Sequence, residues 1–386
     1  MDGAMFKRKV FYIGGFDPRG ARFYHELLAQ QIATHNAGQG SGNPLSLSPR
    51  RSDATGDRAW QVSDAAATVQ TAFHFLAWDD IVRRAWIRST PRLLSATVRA
   101  YARLLRHADL SCLARVPHGS RVALFLPALA LLIVPLLAGL GAGAIALGLG
   151  RPWLAPLLVL VVAALLALLL GGRAHVGWIV QFLVFNDALA AGQADPALAL
   201  RLDRFAETID RALPEDAEWD EVLLVSHSNG AILAAEVTAR LLARHGGALP
   251  PRLALVTLGA SLPMLGARRD ARGFAQTMAT LAQGRFAWLD IGSPTDGAAT
   301  PLVDPWLGQP PARMAGLVQL SPRWFAFCNP ATYAARRKDK YLTHFDYLRR
   351  LDRPSPLDYL GLTCSGQPLA ANIAAFRTVA KAKAEA

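Results

Sequence analysis

Val222-Leu223-Leu224-Val225-Ser226-His227-Ser228-Asn229-Gly230 is the stretch on which the fold turns. Its first four residues form a short continuous apolar run, suited to a strand buried on both faces. Ala231 to Ala243, rich in Ala and Leu and with one Glu, reads as the helix that follows. A strand, tight turn and helix in this order would lift the Ser228 hydroxyl above the sheet edge, where a His can reach it, and aim helix N-terminal amides at a developing oxyanion. The competing reading is an ordinary strand-to-helix turn in which Ser228 caps the helix. Ser226 stands where such elbows usually carry Gly; the position needs a small residue because helix and strand approach closely there, and Ser is small enough.

Working outward, strands are expected at Lys9 to Ile13, ending in Gly14-Gly15, at Val69 to Trp78, at Glu221 to Val225, at Arg252 to Leu258 and at Phe286 to Ile291. Ala21 to His35 and Leu198 to Leu213 read as helices between them. Strands alternating with helices predict an α/β domain with a mostly parallel, doubly wound sheet covered on both faces. Asn36 to Asp64, rich in Gly, Ser, Asn and Arg, reads as a mobile loop, and an Ala/Lys-rich tail begins at Ala380.

A second feature interrupts that domain. From Val122 to Gly172 the chain is almost wholly apolar, broken only by Arg151-Pro152. As one helix it would run about 75 Å at ~1.5 Å per residue, against a hydrocarbon core of about 30 Å, and would bury Arg151 near its middle. Two spans are therefore expected, within Val122 to Gly148 and from Trp153 to Gly172, with Gly148 to Pro152 as the turn. This divides the chain into an N-terminal part of the α/β domain (1–120), a transmembrane helical hairpin (121–173) and a C-terminal part of the domain carrying the elbow (174–386). About 330 of the 386 residues then remain for one large domain.

Charge fixes the expected orientation. Between Arg83 and Arg121 nine Arg face one acid, Asp109, so this stretch carries +8 of the formal net +12. Arg173 closes the second span, and the turn offers only Arg151. By the positive-inside tendency both termini and the domain lie on the cytoplasmic side of what is expected to be a bacterial-type inner membrane, with Trp153 and Trp178 as an aromatic belt around the second span. Within the basic stretch, Ile87 to His107 places Leu93, Leu94, Val98, Tyr101, Leu104 and Leu105 at helical spacing. It reads either as an interfacial helix attracted to anionic headgroups or as a helix packed on the domain with a solvated Arg face. Since the membrane accounts for the charge and no recognised motif accompanies it, nucleic acid is not an expected partner. Cys112, Cys328 and Cys364 are odd in number and widely spaced, implying reduced thiols and no metal site. The apolar run after Lys7-Arg8-Lys9 stops at Asp17-Pro18, too short for a signal peptide.

Three pieces of the chain resemble the α/β-hydrolase family, particularly its lipase and esterase branch. They are the first strand with Gly14-Gly15-Phe16-Asp17-Pro18-Arg19-Gly20, the elbow at Ser228, and the strand ending Thr257-Leu258-Gly259-Ala260-Ser261. In that family nucleophile, acid and His follow in this chain order, and the oxyanion hole joins the amide after the nucleophile to one from an early strand-to-helix loop. The resemblance thus implies Ser228 as nucleophile, with the amides of Asn229 and of Gly15 or Phe16 as the oxyanion hole. Downstream of the strand at Phe286 to Ile291 the chain has a single histidine, His344, which is the candidate general base. For the acid, Asp296, in a loop just past that strand, is preferred; Asp290, inside the strand, is the runner-up and Asp304 a third. His227 is expected to support or pack, and Asp17, Asp79 and Asp80 to cap helices or pair with Arg. The expected activity is a membrane-anchored serine hydrolase cleaving an acyl ester, a lipid or fatty-acyl ester being favoured, through an acyl-enzyme with neither cofactor nor metal. The alternatives are a thioesterase or acyltransferase, or a membrane scaffold that keeps the fold without turnover.

Overall fold

The computed structural model describes residues 5–38, 43–52, 56–66, 68–171, 176–214, 218–307, 314 and 316–385. Among these residues nine strands form one mixed, mostly parallel sheet: β1 (Phe6–Ile13), β2 (Leu45–Leu47), β3 (Arg51–Ser52), β4 (Arg58–Asp64), β5 (Val69–Phe75), β6 (Glu221–His227), β7 (Leu253–Leu258), β8 (Ala287–Ile291) and β9 (Leu317–Leu320). Their order is β2-β4-β5-β1-β6-β7-β8-β9, with β3 alongside β4. All pairs from β5 to β9 are parallel, and those made by β2, β3 and β4 are antiparallel.

The central strands are apolar on both faces because both faces are covered. Along β1, Phe11 and Ile13 join one core with Phe205, Leu233 and Leu281, while Val10 and Tyr12 join the other with Leu28 and Leu360. Helices Ala197–Asp210, Gly230–Arg244 and Arg272–Gln283 thus lie on one side, and Gly20–Gly38 and Tyr359–Cys364 on the other. Arg8, in the basic run near the N terminus, is fully buried: it pairs with Glu221 at 2.7 Å and donates to the carbonyls of Ser365 and Gln367, which ties the C-terminal segment to β1 and β6.

Several expectations are corrected. The segment from Asn36 to Asp64, read as a mobile loop, contains β2, β3 and β4 among its described residues; Trp60 and Val62 alternate with polar neighbours and bury in the core, a period-two signal hidden by surrounding Gly, Ser and Arg. β9, only four residues long, and the helix Val176–Ala190 were not anticipated. Trp178, expected in an aromatic belt, packs instead on Tyr341, Phe182 and His344.

The apolar insertion, part of the helical connection from β5 to β6, is a pair of packed helices. The first runs His118–Ala128, a π-helical turn Leu129–Ile133, then Val134–Gly148; after a 3-10 turn Pro152–Leu154 the second runs Ala155–Gly171. They pack so closely that a Cβ on Gly139 would stand 2.5 Å from the Val159 carbonyl oxygen. Among the described residues one helix, His118–Gly148, is long and apolar enough by length and composition to cross a membrane; the second arm is shorter. Gly172 and Arg173, where the second span was expected to end, lie outside the described residues.

The helix Thr90–His107 packs on the domain along one face and is exposed along the other. Ala96, Thr97, Ala100 and Tyr101 bury against the domain, and the Tyr101 hydroxyl donates to the Leu124 carbonyl at 2.6 Å. Leu94, Val98 and Leu105 form an exposed apolar stripe, and Arg92, Arg99 and Arg106 a separate exposed one, about 120° round the axis at ~100° per residue. Of the nine arginines in the basic stretch, Arg83, Arg84 and Arg103 pair with Asp79, with Asp80 and Asp195, and with buried Asp187 respectively.

Candidate active site

Parallel pairing brings the carboxyl ends of β1, β6, β7 and β8 to one edge of the sheet, where ligands of such sheets bind. Strand order reverses around β1, which has β5 on one side and β6 on the other. The Ile13↔Ser226 register sets the loop after β1 directly against the turn after β6. Gly230 is needed for that approach: a Cβ there would lie 2.5 Å from the Ile13 oxygen and 2.6 Å from that of Gly14. Ser226 is wholly buried, with its hydroxyl 3.4 Å from the Val256 oxygen, so its small size is used, although the closest backbone approach falls at Gly230.

Ser228 adopts φ 57°, a left-handed conformation that costs a non-glycine residue on the order of 1–2 kcal/mol. Its amide donates to the Leu258 oxygen at 2.9 Å, which pins the turn to β7. The N-cap of the helix Gly230–Arg244 is Asn229, with no side-chain cap bond, and the Ser228 hydroxyl, half exposed, makes no hydrogen bond among the described residues. Helix capping therefore does not account for Ser228. Gly15 lies against it: a Cβ on Gly15 would stand 3.0 Å from the Ser228 Cβ and 3.4 Å from its Oγ. The Gly15, Phe16 and Asn229 amides donate to no protein acceptor among the described residues.

His344 sits on the short helix Lys340–Phe345, started by Asp339, whose carboxylate accepts from the Leu342 amide. Its Nδ1 is 2.8 Å from Asp296 Oδ2, and both side chains are buried. A carboxylate only accepts, so Nδ1 carries the proton and Nε2 is left as the basic nitrogen. That Nε2 is buried and has no hydrogen-bond partner among the described residues. The second Asp296 oxygen accepts from the Ala298 amide at 2.9 Å. The Tyr347 hydroxyl, which accepts from the Ser293 amide, lies beside this carboxylate; burial, then the Asp296 charge, holds the phenol well above its usual range.

The runner-up acid is placed elsewhere. Asp290, on β8, accepts from Thr257 Oγ1 at 2.7 Å and from Gln319 Nε2 at 3.1 Å, and burial raises its pKa. Asp304 is exposed. Asp17, Asp79 and Asp80 pair with Arg19, Arg83 and Arg201 respectively.

Sequence reasoning missed two contacts, and gave a third only as a supporting or packing role for His227. His227 donates from Nε2 to the His344 carbonyl oxygen at 2.8 Å, with the two rings 4.7 Å apart; burial, then the neighbouring His344, keeps it neutral. Asn186 exchanges amide hydrogen bonds with Asn229, and Trp178 packs 5.5 Å from the His344 ring. Adjacency to Ser228 was the one available signal for His227; the others depend on a helix not anticipated. Among the described residues no group of three or more His, Cys, Asp or Glu side chains is placed to hold a metal, and the three cysteines are buried free thiols. Comparison with models of known families, with curated proteins and with solved structures found no match to this chain.

Proposed function

We propose that the protein is a serine hydrolase of the α/β-hydrolase type, held at the cytoplasmic face of a membrane by its apolar hairpin and cleaving an acyl ester. The observation that carries this reading is His344, bonded through Nδ1 to Asp296 with Nε2 unengaged, at the same sheet edge as a Ser228 in left-handed backbone. Ser228 Oγ attacks the acyl carbon while its proton passes to His344 Nε2; the negative charge gathers on the carbonyl oxygen, towards the Phe16 and Asn229 amides. Collapse breaks the bond to the leaving alcohol, which takes the proton from His344, and water repeats the sequence to release the acid. Asp296 holds the His344 tautomer and stabilises the imidazolium without accepting the proton. Ser228 and His344 are not hydrogen-bonded to each other in this arrangement, a looseness usual before substrate tightens such pairs.

The exposed leucines of the hairpin, and the arginine stripe beside an apolar one on Thr90–His107, support the membrane placement. A fluorophosphonate probe tests the chemistry: wild-type protein in membranes should label and Ser228→Ala should not, whereas no labelling of folded wild type would leave the scaffold reading. A reporter at Gly150 should lie across the membrane from one after Ala386, and finding both on one side would overturn the hairpin.

A further inference from the structure

A cavity of about 670 Å³ adjoins the site. Asn186, which bonds Asn229, and Trp178, which packs on His344, form its inner wall together with Thr295, next to Asp296. Its outer wall is the base of the long apolar helix, through Val122, Ala123 and Leu126. Phe182 and Met264 make the remaining surface largely carbon.

We propose that this cavity takes the acyl chain of a bilayer lipid ester, which slides in sideways from the hydrocarbon along the helix His118–Gly148. The substrate is then a long-chain amphiphile rather than a small soluble ester. This rests on the hydrolase reading, and three observations on the molecule carry it further. The volume falls in the range that encloses a small organic ligand. One continuous helix lines the cavity with Val122 and Leu126 and then presents exposed Leu129, Ile133 and Leu137 outward, so an alkyl chain passes from one to the other with no charged residue on that helix between. The Lys and Asp side chains of the lining lie on a separate segment, although His118 and Ser120 line it at the start of the helix: Lys338 and Asp339 bracket a rim that leads to His344, and Lys340 there donates to the Thr295 carbonyl at 3.1 Å. An ester headgroup can stay at that rim while the chain fills the carbon-lined side.

Each methylene buried in such a cavity is expected to strengthen binding about fourfold until the space is filled. The test compares palmitoyl and butyryl esters of one chromogenic alcohol, presented in vesicles to full-length protein, with palmitoyl thioester supplied in solution as a further arm. Ala123→Trp narrows the cavity beside the helix, and Ala335→Trp does so at an exposed position where folding is not at risk. The expected result is a preference for palmitoyl ester in the wild type and at least a tenfold fall in the palmitoyl-to-butyryl ratio in each variant. Turnover independent of chain length, an equal fall for both esters in both variants, or palmitate released only from the soluble thioester would overturn the proposal. Binding of cis-parinaric acid to the Ser228→Ala protein separates this from failure of the chemistry. Saturable binding weakened by Ala335→Trp sustains the cavity even if no ester is cleaved, and absence of binding removes it.

Discussion

At the carboxyl edge of the sheet polar side chains are buried against one another, whereas along the hairpin large apolar side chains stand exposed. His344, Asp296 and His227 are 0%, 1% and 1% exposed; Leu137, Ile145 and Leu160 are 63%, 65% and 70% exposed. Burying a polar group without a partner costs roughly 2–7 kcal/mol; the Asp296–His344 and His227–His344 bonds offset part of that cost, while His344 Nε2 and His227 Nδ1 stay buried without a partner among the described residues. Contiguous exposed carbon beyond a few hundred Å² is uncommon on a soluble monomer, so the second region suits a different surrounding from the first. A buried polar site and an exposed apolar surface thus stand in one chain, with the cavity lined from both.

The hardest blow to the polar side of this comparison is Asp296→Asn, expected to cut ester turnover by about 10⁴-fold with the fold intact, while Asp290→Asn leaves turnover within a few-fold. If the two variants exchange these outcomes in steady-state kinetics, the observed pairing of His344 with Asp296 is not the functional one. On the apolar side, Leu160→Arg should disfavour insertion by about 3 kcal/mol and release protein on alkaline carbonate extraction. Retention equal to wild type would mean that Leu160 does not face lipid.

Ionisation sharpens the comparison within the domain. Asp358, buried and accepting from the Gly361 and Ser355 amides, is pushed up to about 6, chiefly by burial, and Asp346 likewise despite Arg336 and Arg349. In the unfolded chain these carboxyls titrate near 4, so between about pH 4 and pH 6 the folded state holds more protons and stability falls as pH rises. Asp358→Asn should remove on the order of 2 kcal/mol of that fall in denaturation series at pH 4 to 7. An unchanged slope would show that the carboxyl is not buried in this way. The smallest effect is expected from His227→Phe, which keeps the ring and deletes the bond to the His344 carbonyl: turnover falls by about 10²-fold or less. Because His227 acts through the placement of His344, the acid limb of the pH–rate profile should shift as well; a loss of stability with an unaltered profile would make it packing alone.

What was legible in the sequence depended on how locally each feature is encoded. The elbow is nine consecutive residues with a strand before and a helix behind, and its backbone outlier falls at Ser228 as the motif requires. His344 was reachable because it is the single histidine downstream of β8, and Asp296 because a loop past a strand end faces the site. The β2–β4 edge was lost, since Trp60 and Val62 signal burial only once Phe73 and Phe75 lie beside them. Trp178 and Asn186 were lost for a related reason: in sequence their helix is one more apolar run after the hairpin, and only the folded chain turns it against the elbow.

The position of β1 between β5 and β6 sets a timetable for biogenesis. One side of β1 can pair as soon as β5 leaves the ribosome, but the partner for its other side is about 145 residues further on, beyond the whole apolar insertion. At about 5–20 residues per second that is a wait of roughly 7 to 29 s. Throughout it the row of backbone donors and acceptors from Arg8 to Ile13 lies open, an invitation to any other extended chain. The two apolar helices are therefore made before the sheet can close, so what shields β1 during that interval bears on the yield of folded protein.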